Sequence, residues 1–121
     1  MSELLQARKK RATAALNALP ESIRVGAYDI AILLRDRHLT TRDLLGQYDQ
    51  DAEVISLSTG FENSTKVVET FIHEVNHAVY RQGGLENGDD EERIVLVMSH
   101  GQAQIFRDNP WLCQWINKYS D

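Results

Sequence analysis

Apolar positions along the chain change period several times, and each change marks an element. Residues 2–18 carry Leu4, Leu5, Ala12, Leu16 and Ala18 at helical spacing, with Ser2 as N-cap and Pro20 closing the segment. Residues 22–35 (SIRVGAYDIAILLR) partly alternate and are rich in Ile, Val and Tyr, which predicts a strand. Residues 40–45 predict a short helical turn, and Gly46 breaks it. GQYDQDAEVISLSTG predicts a hairpin, with Tyr48, Val54, Ile55 and Leu57 as strand residues and Asp49-Gln50-Asp51 as the turn. A helix is expected over 63–81, capped by Asn63 or Ser64 and ended by Gly83-Gly84. Asp89 or Asp90 caps a further helix reaching about Asp108. Pro110 opens a last one over 110–119, carrying Trp111, Leu112, Trp115 and Ile116. The order predicts one α+β domain over 1–121 with a small antiparallel sheet.

The helix expected at 63–81 contains His73-Glu74-Val75-Asn76-His77. A spacing of four puts both histidines on one face, one turn apart, so that both imidazoles reach one ion. Zn²⁺ accepts neutral imidazole and in catalytic sites usually takes three protein ligands, leaving a position for water. Glu74, beside the first histidine, is placed to take a proton from that water as it attacks a carbonyl. On a helical wheel Val67, Val68, Phe71, Ile72, Val75, Ala78 and Val79 form one broad arc. His73 and His77 fall roughly opposite its centre, and Glu74 falls just outside its edge. The alternative is a chance motif on a solvated helix face.

A third ligand has to come from elsewhere. Downstream candidates are Glu86, Asp89, Asp90, Glu91, Glu92 and His100. A neighbouring helix would hold a ligand rigidly, which favours the one starting near residue 90. There Ile94, Val95, Met98, Ile105 and Phe106 form the apolar arc, with Glu91 inside it and Glu92 at its far edge. The wheel leans toward Glu91 without excluding Glu92, and either acid also suits a first helical turn for its dipole alone. His100 is the rival. The longer HExxHxxGxxH motif is absent, because Arg81-Gln82-Gly83 is not followed by a histidine.

Charge narrows the function further. Thirteen basic and eighteen acidic residues give a net charge of −5, which argues against nucleic acid as the main partner. The one basic cluster, Arg8-Lys9-Lys10-Arg11, reads as a solvated helix face. Cys113 stands alone, so no internal disulfide forms, as expected in a reducing compartment. No apolar run suggests a secretory signal or a membrane span, so the expected location is the cytoplasm of a host cell, with no membrane partner.

The stretch from Leu44 to Trp111 resembles the small zincin-like proteins encoded by phages and prophages. The likeness runs through LLGQYDQDAEVISLS, ETFIHEVNHAVY, EERIV and GQAQIFRDNPWL; residues 1–20 lie outside it. HExxH itself is shared with gluzincin-type peptidases and with ImmA/IrrE-type proteins. The resemblance implies a minimal zincin fold and a Zn²⁺ cofactor. It also implies a third ligand in the EExxV segment, which tips the choice to Glu92 with Glu91 as alternate. Tyr80, Tyr48 and His100 are candidates for oxyanion stabilisation, and Glu69, one turn before His73, for a hydrogen bond to an imidazole N–H. Each also has a structural reading: an edge-of-core tyrosine, a surface histidine, an exposed helix acid. Trp111 and Trp115 are expected to dock the last helix on the core, and Glu53–Ser58 to form a sheet edge able to pair with an extended peptide. Two functions follow as expectations. One is a zinc peptidase acting on a protein of the bacterial host or phage, with Glu74 as general base. The other is a zincin-fold binding or inhibitory protein whose zinc is structural or vestigial.

Overall fold

The computed structural model describes residues 2–36 and 45–121. Helix α1 (Glu3–Asn17) is followed by strands β1 (Ser22–Val25), β2 (Tyr28–Arg35), β3 (Gly46–Asp49) and β4 (Val54–Ser58). Helices α2 (Ser64–Gln82), α3 (Glu91–Asp108) and α4 (Trp111–Tyr119) complete the chain. The arrangement is α+β, as expected. The helical turn expected at 40–45 lies almost wholly outside the described residues.

Three expectations about the sheet need correction. The segment 22–35 is not one strand but a hairpin, because Gly26, at φ 60°, supplies the left-handed residue that a two-residue II′-type turn requires at its first central position. The sheet is also mixed rather than antiparallel. Its order is β1-β2-β4-β3, with β1–β2 and β3–β4 antiparallel and β2–β4 parallel. The composition of the second hairpin accounts for this. VISLS is buried at Ile55, Ser56, Leu57 and Ser58 and takes the interior position, whereas the polar GQYD is left at the edge. The segment Glu53–Ser58 is therefore central and not an open edge.

Ile23, Val25, Ile30, Ile32, Ile55 and Leu57 are buried on the sheet face that α2 covers with Val67, Phe71, Val75 and Ala78. Phe71 is fully buried, and the Trp115 ring meets it edge-on with centroids 5.3 Å apart. The Trp115 indole N–H donates to the Ala15 carbonyl at 2.9 Å, which fastens α4 to the last turn of α1. Trp115 thus docks α4 on the core, as expected, with Trp111 half-buried beside it. At the opposite edge Asn109, buried just past α3, substitutes for a strand partner. Its Oδ1 accepts from the Arg24 N–H at 2.9 Å and its Nδ2 donates to the Arg24 carbonyl at 2.7 Å. The basic cluster is a solvated face: Arg11 pairs with Asp121 at 3.2 Å and Lys9 with Glu62 at 3.7 Å. Among the described residues no helix is long and apolar enough to cross a membrane.

Candidate metal centre

The Asn63 side chain caps α2 by accepting the Lys66 N–H at 2.8 Å, and the helix then runs unbroken through the motif. Its apolar side is held by the sheet, which leaves His73 and His77 exposed on the other side. Their Nε2 atoms lie 3.1 Å apart. Two Zn–N bonds of about 2.0–2.1 Å at a tetrahedral angle require a separation of roughly 3.3 Å, so the pair is close to the spacing that one shared ion demands. A proton shared as N–H···N gives the same spacing in the absence of an ion.

Glu74 differs from the expectation drawn from the wheel. It falls outside the apolar arc of its own helix, yet only 7 % of it is exposed. The cover is β3, whose first residue is Gly46. A Cβ at that position would stand 2.7 Å from Thr70 Cγ2 and 3.3 Å from Glu74 Cγ, so the absence of a side chain lets the strand lie directly on α2. One residue pair further along, the Tyr48 backbone N–H faces the Glu74 carboxylate. Burial raises the Glu74 pKa above the usual carboxylate value, and this outweighs His77, His73 and the Tyr48 N–H, which act to lower it. The carboxylate is thus held under the strand, beside the two imidazoles.

His73, Glu74 and His77 share a groove of about 580 Å³ with β3, the Gln50-Asp51 turn and Arg81. Arg81 was not among the residues anticipated, although it lies four residues after His77 and eight after His73, on the same helical stripe. Tyr48 reaches the same place. Its phenol pKa is raised, mainly by burial and by Glu53, while the Arg81 charge acts to lower it.

The other anticipated residues lie elsewhere. α3 runs antiparallel to α2. Gly83 stands against Val97, Gly101 against Val79, and Gln102 Nε2 donates to Asn76 Oδ1 at 3.0 Å. His77 is therefore level with about Gln102. Glu92 begins ten residues before Gln102, a displacement of about 15 Å along the axis, and Glu91 lies further still. Both are exposed in the first turn of α3, beyond the end of α2, where the next residue, Arg93, reaches the Gly84 carbonyl. The structure does not bring Glu92 or Glu91 to the histidines, because the contacts that set the α2–α3 register fix them at the far end. Asp90 caps α3 through the Arg93 N–H, and Asp89 pairs with Arg93 at 3.2 Å. Glu69 is exposed and does not line this groove. The same holds for Tyr80, which is half-buried. His100 lines a second groove, between α2, α3 and the β1–β2 hairpin, and not the histidine site. Among the described residues no three His, Cys, Asp or Glu side chains converge as a set of metal ligands.

Comparison of the chain with protein-family models, with curated proteins and with solved structures finds no match.

Proposed function

We propose that the chain is a metal-dependent hydrolase, a zinc peptidase of the small phage-type zincin-like kind. In this reading His73 and His77 hold the ion and Glu74 is the general base. The observation that carries it is the convergence of the two Nε2 atoms at 3.1 Å beside a carboxylate buried against β3. Two imidazoles fit two neighbouring positions of Zn²⁺ and leave the others to water and substrate. A bound ion supplies Lewis acidity to a peptide carbonyl and acidifies water. Glu74 takes the proton of the attacking water. The outer edge of β3 offers backbone groups along which an extended peptide lies. The expected substrate is a protein in the cytoplasm of a bacterial host.

The missing convergence of a third acid favours a second reading, in which the same fold binds and blocks a host protein with no hydrolysis. Zinc stoichiometry and one substitution separate the two. Purified protein should bind one Zn²⁺, with binding lost in His73→Ala and in His77→Ala. The geometry of α2 and α3 predicts that Glu92→Ala and Glu91→Ala keep the metal. If wild type holds no stoichiometric zinc, the peptidase reading fails and the binding protein remains. If Glu74→Gln keeps the metal and also the biological effect, the binding protein is the correct reading; if it keeps the metal and loses the effect, the peptidase is.

A further inference from the structure

We propose that Arg81 reads a carboxylate on the bound peptide, and that an apolar side chain of that peptide seats in the groove beyond it. The assignment rests on the peptidase reading of His73, Glu74 and His77, and it adds a substrate class to that reading.

The groove holding the histidines does not end at Arg81. A second groove, of about 820 Å³, runs between α2, α3 and the β1–β2 hairpin, and the two share Tyr48, Gln50 and Arg81 as a common wall. A peptide lying along β3 across the histidines is thereby led into the second groove. Ala27, Tyr28 and Val97 supply the accessible apolar surface there, with Val25, Ile30 and Val79 buried beneath it. Arg81 stands at the junction, one helical turn past His77, or about 6 Å along the axis.

Charge makes the junction selective. Asp49, Asp51, Glu74 and Glu53 line one groove or the other, and such walls repel an anionic peptide. Arg81 is the single Lys or Arg among the described residues that line either groove. It forms no ion pair within 4 Å among those residues. A guanidinium there, beside the Tyr48 phenol, offers a carboxylate a two-pronged partner at one defined point. The carboxylate has two sources: the free C-terminus of a peptide, or an Asp or Glu side chain.

The test uses the zinc-loaded full chain and three hydroxamate probes with the same isobutyl succinyl core. One ends in alanine with a free carboxylate, one in alanine amide, and one in glutamic acid α-amide. Binding is measured by calorimetry for wild type, Arg81→Gln and Arg81→Lys. Wild type should prefer one carboxylate-bearing probe over the alanine amide by about tenfold or more, as a charge-assisted pair gives. Arg81→Gln should abolish that preference without changing affinity for the alanine amide, and Arg81→Lys should keep part of it. Preference for the free acid identifies a C-terminal carboxylate, and preference for the glutamyl amide identifies a side chain. Equal binding of all three probes, or a preference that survives Arg81→Gln, overturns the assignment while leaving the metal reading intact. Absence of zinc, or of any hydroxamate binding, overturns the peptidase reading and this assignment with it.

Discussion

Gly46→Ala isolates the contact on which the candidate site depends. The new methyl would stand 2.7 Å from Thr70 Cγ2, and 3.3 Å from both Glu74 Cγ and Leu57 Cδ2. The first distance is well inside van der Waals contact, and the other two leave no direction of retreat within the pocket. Thr70 is β-branched and stiff on a helix, so relief requires a change of its rotamer or a shift of β3 away from α2. Overpacking of this kind costs about 1–3 kcal/mol. For a domain of this size that is a fall in Tm of roughly 4–12 °C. Thermal and urea unfolding of the apo protein measure it. Thr70→Ser removes the offending methyl, so the double variant should recover at least about 0.5 kcal/mol relative to the sum of the singles. If Gly46→Ala unfolds within about 0.5 kcal/mol of wild type, or if Thr70→Ser gives no coupling, β3 does not lie on α2 as described. The account of Glu74 burial would then fail with it.

Four other outcomes are expected. Asn109→Ala should cost about 1–3 kcal/mol in urea unfolding, since it leaves the Arg24 N–H and carbonyl unpaired. Asn109→Asp should be worse at neutral pH, because an acceptor then faces the Arg24 and Ile105 carbonyls. Trp115→Phe leaves the Ala15 carbonyl without its indole donor and should lower stability by about 1–3 kcal/mol, with the loss visible as earlier melting of far-UV helical signal. Glu74→Gln should raise the Tm of the metal-free protein at neutral pH. An acid whose folded pKa is raised destabilises the fold when ionised. That penalty is fully present above the folded pKa and vanishes as pH falls to the unfolded value, about 4.3. The advantage of the variant should therefore shrink on acidification, and a constant difference from pH 7 to pH 4 would contradict the desolvation account.

Local signals and tertiary ones divided cleanly in this chain. Helix α2 was legible because its cap, its apolar period and its glycine stop all lie within a few residues of one another. The hairpin at Gly26 was present in the sequence as a glycine inside an apolar run, but the run's composition concealed it. The strand order was not legible. It depends on the second hairpin inserting its apolar strand beside β2, and only the contrast between VISLS and GQYD hinted at this. Glu74 belonged to the motif, yet its burial comes from β3 crossing over α2, which no helical wheel contains. The reverse holds for Arg81, whose place one turn past His77 was open to the same wheel that located the histidines. The register of Glu92 against α2 is set by Gly83 on Val97 and Gly101 on Val79, contacts between segments whose spacing carries no periodic signal.

His73, Glu74, His77 and Arg81 all belong to one helix, so their mutual spacing follows from helical geometry and not from long-range packing. The surroundings of each side chain do not. β3 decides whether Glu74 is wet or dry, and α3 with the β1–β2 hairpin decides whether Arg81 opens onto a groove. The spacing of the two imidazoles and the shape of the grooves beside them are therefore separable in this fold. Changes at the α2–α3 seam act on stability and on the second groove while the two imidazoles keep their 3.1 Å spacing. Changes at the β3 seam act on the Glu74 carboxylate first. A site built this way draws its candidate ligands, base and cation from one well-capped helix.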